Sequence, residues 1–182
     1  RIEWDLSHPS NYSFNTYAVN DGVIKNGFIY GPNGSGKSNF ALAIFDIEYH
    51  LSVKWKKADY LSNYVYIGNP NSPVEFEYVF KFGNDILEYR YSKNASGMLI
   101  AESLVANNKL VFKRENDVFE IDDDQFRIDA TVKENFKQNV NSVSVINFLT
   151  ASFPFPQDHY IVKLVLFVNT MLWFKNLDSR EF

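Results

Sequence analysis

Cysteine is absent from all 182 residues, which excludes disulfides and any thiolate-bound metal, and permits a reducing cytoplasm. Arginine is scarce: Arg1, Arg90, Arg114, Arg127 and Arg180 are scattered, so no dense guanidinium cluster is available. A positive field is missing too. Eighteen Lys and Arg against 22 Asp and Glu leave a formal charge of −4, and a DNA partner gains no support from charge. The sequence opens on Arg1, its two methionines are Met98 and Met171, and no signal-peptide pattern begins it, so it reads as a piece of a longer, cytoplasmic protein. Long apolar runs are also lacking. The most apolar, YIVKLVLFVNTMLWF at 160–174, carries Lys163 and Asn169 and is shorter than the ~20 residues of a membrane span, so a buried helix and no membrane partner are expected.

What the chain does have is aromatic bulk, with 17 Phe and 11 Tyr, a composition that favours strands and thick cores. Residues 2–30 read as short strands joined by polar turns (HPSN, NDG), closing on the apolar strand Phe28-Ile29-Tyr30. Over 37–57, Phe40, Ile44, Ile47, Leu51 and Trp55 recur at helical spacing. From about 64 to 121 the period drops to two: Val74, Phe76, Tyr78, Phe80 and Phe82 share one face, and Glu75, Glu77, Val79 and Lys81 the other. Turn residues at 83–85, 93–94, 97, 107–108 and 116–117 cut this region into an antiparallel meander of about five strands. Beyond 131 the pattern is again helical, broken at FPFPQ (153–157). The expected organisation is one incomplete domain of mixed α/β (α+β) class: 1–60 strands, loop and first helix; 61–125 an antiparallel β-lobe; 126–182 mainly helical.

Between the expected strand and the first helix lies GPNGSGKS, residues 31–38. It satisfies G-x-x-x-x-G-K-[ST] through Gly31, Gly36, Lys37 and Ser38. Each residue type has a physical role. Gly31, Gly34 and Gly36 let the backbone adopt positive φ and turn its N–H groups inward as an anion nest. A helix starting near Lys37 adds unpaired N–H donors and the positive end of its dipole. Lys37 puts a mobile charge on the β- and γ-phosphates, and Ser38 offers a hydroxyl to Mg²⁺. The expected cofactors are therefore ATP and Mg²⁺, bound by Gly31, Pro32, Asn33, Gly34, Ser35, Gly36, Lys37, Ser38 and Asn39, with Ser38 as the metal ligand. No Asp is followed by Gly three residues later and no Asn-Lys-x-Asp occurs, so a guanine site is disfavoured.

The stretch GPNGSGKSN resembles the Walker A of ABC/SMC-type ATPases, and VEFEYVFKF, LEYRYS and IAESLVANNKLVFKRE look like the antiparallel β-lobe of a bacterial group among them. That group comprises the abortive-infection and overcoming-lysogenisation-defect (OLD) type proteins. The resemblance covers about residues 1–121. It implies a P-loop NTPase half with a β-lobe, the N-terminal part of an ATPase head that hydrolyses ATP in a head-to-tail homodimer. It further implies an anti-phage role with a nuclease or other effector. The family's Walker B, signature loop and switch histidine have no match here. VFEIDDD (118–124) is the nearest imitation of a Walker B, but Glu120 breaks its apolar run, and Asp122, Asp123 and Asp124 read as a solvated acidic turn. Asn69 or Asn71 stands near the place of the family's glutamine. No catalytic residue is assigned, and the isolated chain is expected to be inactive or nearly so. A small P-loop phosphotransferase and a non-catalytic, nucleotide-gated interaction module are the rival readings.

Other features have blander explanations. Lys54, Lys56 and Lys57 around Trp55 would complement a helix C-terminus. His8, His50 and His159 lack nucleophile or carboxylate partners at an interpretable spacing. Tyr12, Phe14 and Tyr17 precede the loop, and the resemblance makes them candidates to stack on an adenine, with core packing the alternative.

Overall fold

In a computed structural model, described over residues 3–10, 14–51, 69–138 and 143–171, the chain divides into two compact units, 1–44 and 45–182.

The first unit holds a small antiparallel hairpin, β1 (Val19–Asn20) and β2 (Val23–Ile24), turned by Asp21 (φ 50°) and Gly22 (φ 76°). Two successive left-handed residues make the type I′ turn that suits strand twist, and the Asn-Asp-Gly sequence supplies residues that tolerate it. Leu6 joins the hairpin through its carbonyl, which accepts from the Ile24 amide at 2.8 Å. Trp4 lies edge-on to Phe40, 5.1 Å between ring centres. Gly27 makes room for that indole, since a Cβ there would stand 3.2 Å from the ring. The strand expected at Phe28-Ile29-Tyr30 is not formed: among the described residues no strand pairs with it, and Phe28 and Tyr30 are 97% and 93% exposed. Apolar sequence favours extended backbone, but a strand exists only where a neighbour takes up its N–H and C=O groups.

Helix α1 (Lys37–Leu51) follows the loop, its first two turns in the first unit and the remainder in the second. Its apolar stripe is real: Ile47 and Leu51 are buried, and Phe40 and Ile44 are half-buried. Trp55 and the lysines beside it lie outside the described residues, as does Tyr12.

The second unit is built on a five-stranded antiparallel sheet of order β3-β4-β5-β6-β7. Its strands are Val74–Phe82, Asp85–Lys93, Leu99–Ala106, Lys109–Glu115 and Val118–Ile121. The turns use the residues expected of them. Gly83 opens the first at φ 66°; Asn107-Asn108 (50°, 64°) and Asn116-Asp117 (48°, 63°) are type I′ pairs. At the wider turn the Asn94 carboxamide accepts from the Ser96 and Met98 amides, both at 3.0 Å, and Gly97 takes φ 77°.

Register fixes which residues share a face. Phe76, Tyr91, Glu102 and Arg114 form one cross-strand row, and Phe80, Leu87 and Ala106 another. Three further helices, α2 (Ala130–Gln138), α3 (Val145–Ser152) and α4 (Tyr160–Asn169), together with the later turns of α1, all meet this face. Phe136 of α2 stacks on Phe119, Phe167 of α4 lies edge-on to Phe80 and Phe82, and Asp46 of α1 bonds Tyr91 and Lys93. Leu87, Leu104, Phe112, Ile146, Leu149, Ile161 and Leu164 are fully buried there. Each stabilises the unit by roughly 1.5–3 kcal/mol relative to exposure. The opposite face is solvated and mixed: Arg90 pairs with Glu77 (2.9 Å) and Glu88 (3.1 Å), Lys113 pairs with Glu115 (2.9 Å), and Val79 and Ile86 are exposed among these charges. FPFPQ separates α3 from α4, as proline demands, with Phe153 and Phe155 set edge-on against the buried Phe126. The molecule is thus of mixed α+β class. No described helix is long and apolar enough to cross a membrane, and α4 has only ten residues.

Candidate functional site

Residues 31–39 form one continuous feature at the head of α1, entirely within the first unit. Gly34 (φ 80°) and Gly36 (φ 87°) both occupy the left-handed region, and a Cβ on either would meet nothing within 4 Å. Backbone conformation, not crowding, is therefore what selects glycine at these two positions. Gly31 differs: a Cβ there would approach Ser35 Oγ at 3.0 Å, a tight contact that rotation of the serine side chain relieves. Ser35 N donates to Pro32 O at 3.3 Å, a loose turn inside the loop. The first helical bond runs from Phe40 N to Gly36 O at 2.9 Å, so the amides of Lys37, Ser38 and Asn39 precede it. Those amides and the helix dipole make the loop a place where negative charge is favoured.

Lys37 reaches back over this loop. Its Nζ donates to Gly31 O and to Pro32 O, both at 2.7 Å, and stands 3.5 Å from Ser35 Oγ. Two of the ammonium's three protons are thus committed to loop carbonyls, and the third faces only a long contact. The cation braces the loop and keeps a directed donor for an anion. Ser38 and Asn39 are exposed on the first turn. This donor set fits a polyphosphate. Among the described residues no group of three or more His, Asp or Glu gathers as metal ligands, so a Mg²⁺ here would draw on Ser38, phosphate oxygens and water, the usual pattern for this ion.

The other sequence candidates fall elsewhere. Phe14 and Tyr17 are exposed, 65% and 72%, in the first unit. Asn69 and Asn71 sit in an exposed turn before β3, where Ser72 N donates to Asn69 O at 3.2 Å. Asp122, Asp123 and Asp124 form the turn after β7; Lys109 pairs with Asp122 at 2.6 Å and Lys133 with Asp123, so two of the three carboxylates are paired with lysines. His8 belongs to an exposed turn with Asp5 and Ser7, whose hydrogen bonds hold the Asp5 carboxyl down to about 2.

Sequence reasoning overlooks a buried polar cluster in the second unit. Asp46 Oδ2 accepts from Tyr91 OH and Lys93 Nζ, each at 2.6 Å. Beside it, Glu102 accepts from Tyr89 OH (2.8 Å), Arg114 Nη2 (2.9 Å) and the Val145 amide (2.9 Å). His50 links the two halves, stacked 4.1 Å from Tyr91 and hydrogen-bonded to Tyr89 OH at 2.8 Å. Burial pushes Glu102 up and Lys93 and Arg114 down, each opposed by its ion-pair partner. Burial likewise drives the Tyr89 and Tyr91 phenols well above their ordinary value. The available signal was phase: Glu102 alternates with Leu104 and Ala106, and Arg114 with Phe112, so both charges point to the apolar side.

Compared with family models, curated proteins and solved structures, the chain matches none.

Proposed function

We propose that residues 31–39 are the phosphate-binding loop of an ATP-binding protein, with Lys37 on the β- and γ-phosphates and Ser38 on Mg²⁺. One observation carries the reading: left-handed Gly34 and Gly36 and the Lys37 ammonium converge on a single loop at a helix N-terminus. In the longer reading, the chain supplies the N-terminal part of an ABC/SMC-like head of the abortive-infection type. Hydrolysis then requires a water-polarising carboxylate, and a partner subunit's signature loop in a head-to-tail dimer. Bound Mg²⁺ would neutralise developing phosphate charge. A cytoplasmic anti-phage role, with a nuclease or other effector, completes that proposal and rests on resemblance alone.

A ligand that binds only the folded state stabilises it by RT ln(1 + [L]/Kd), about 2.7 kcal/mol at 100 times Kd. Mg·ATP is expected to raise the melting temperature of the wild type and to shift Lys37→Ala by no more than about half as much, since about tenfold weaker binding leaves at most about 1.4 kcal/mol at the same concentration. Equal shifts in both proteins would contradict the reading. Sustained turnover by the isolated chain would favour the phosphotransferase or a self-sufficient ATPase instead.

A further inference from the structure

Helix α4 begins with an unusual cap. His159, in extended backbone (φ −64°, ψ 137°), places Nδ1 3.2 Å from the Ile161 amide, which donates to it. Asn, Asp, Ser and Thr normally fill this position, because their side-chain oxygens accept at any ordinary pH. An imidazole accepts only while neutral, with its proton on Nε2. A protonated ring would turn an N–H toward an N–H and place positive charge at the positive end of the helix dipole.

The residue is held firmly. His159 N donates to Pro156 O and His159 O accepts from Lys163 N, both at 3.0 Å. Its ring lies tilted against those of Phe155 (4.5 Å) and Tyr160 (4.3 Å), and the Tyr160 hydroxyl is tied to Gln125 at 2.8 Å. The charged groups around it are Asp158 in its own turn, Asp85 at the start of β4 and Lys163 one turn along α4; Lys163 and Asp85 pair at 3.6 Å. The aspartates favour the imidazolium, Lys163 opposes it, and burial opposes it most, so the ring sits below its ordinary value. The helix it caps is consequential, since Ile161, Leu164 and Val168 of α4 are fully buried in the second unit.

We propose that His159 is a proton-sensitive latch: neutral, it closes the first turn of α4, and protonated, it releases that turn from the sheet. The inference is independent of the phosphate site. A group depressed in the folded state contributes stability above its unfolded value, about 6.5 for histidine, and loses it as pH falls below that value. The fall ends once pH passes the folded value.

Amide exchange in the full chain, followed by NMR from about pH 8 to about pH 5 and corrected for intrinsic rates, tests this. Protection of the Ile161 amide is expected to drop about fivefold in the wild type as the ring titrates, the worth of a typical cap. In His159→Asn, which caps without titrating, protection is expected to stay flat. Flat protection in the wild type, or a parallel drop in His159→Asn, overturns the latch. Should the variant fail to fold, ring nitrogen shifts of the wild type decide. The Nε2–H tautomer and a midpoint below about 6.5 are expected; the other tautomer, or a midpoint at or above that value, overturns it.

Discussion

A buried carboxylate is tolerated only while donors surround it, and Glu102 meets that condition by accepting from a phenol, a guanidinium and the first amides of α3. Arg114 is less well served, because among the described residues its Nε and Nη1 find no hydrogen-bond partner, although its guanidinium lies 5.3 Å from the Phe136 ring. Truncating the acid alone strands the cation, so Glu102→Ala is expected to cost roughly 3–5 kcal/mol in urea unfolding. Removing both charges, Glu102→Leu with Arg114→Met, should cost less than that single change. The double variant still strands the α3 amides, a penalty of about 1–3 kcal/mol. The pH dependence has a defined sign. Glu102 is raised on folding, so its stabilisation is complete below its unfolded value near 4.5 and is lost as pH rises through the folded one. The stability of the wild type relative to Glu102→Gln should therefore decline as pH climbs from about 4. A difference that is flat in pH would mean that Glu102 folds with an ordinary affinity for protons.

At the level of elements, the β-meander was legible because two signals agree: apolar alternation, and turn residues suited to left-handed backbone. Asn107-Asn108 and Asn116-Asp117 illustrate it, each pair taking positive φ at both positions. Replacing Asn108 by Ala should cost about 1 kcal/mol, since Ala gains nothing in αL that offsets its Cβ clash, whereas Gly should be neutral or stabilising. Denaturant midpoints at unchanged slope check this pair of substitutions. The helices after 130 were legible from periodicity, and FPFPQ marks their break. Phe28-Ile29-Tyr30 was misread as a strand because pairing depends on a neighbour, which local sequence does not encode. The loop proposed to bind phosphate was legible as a motif, since nine contiguous residues, Gly31 to Asn39, carry it. The polar cluster was not. Asp46, Tyr89, Tyr91, Lys93, Glu102 and Arg114 converge from four elements, and only register brings them together.

At the scale of the whole molecule, the two units carry different burdens. Residues 45–182 provide the large antiparallel sheet and the described helices that meet one of its faces, and residues 1–44 provide the loop proposed to hold an anion. The chain's charge of −4 gives a polyanion no general welcome, so affinity must come from local donors: the loop amides, the α1 dipole and Lys37. Lys37 also bonds two loop carbonyls, so its removal should loosen the loop as well as delete a charge. Lys37→Ala is therefore a severe test, and Ser38→Ala, which keeps the brace, isolates the contribution of Mg²⁺. The most direct measurement is calorimetric titration of Mg·ATP into the wild type and Lys37→Ala. Saturable binding by the wild type, at least about tenfold weaker in the variant, a difference of ~1.4 kcal/mol, is the expected result. Equal affinity in the two proteins, or no binding by the wild type, would contradict the assignment of residues 31–39 as a phosphate site.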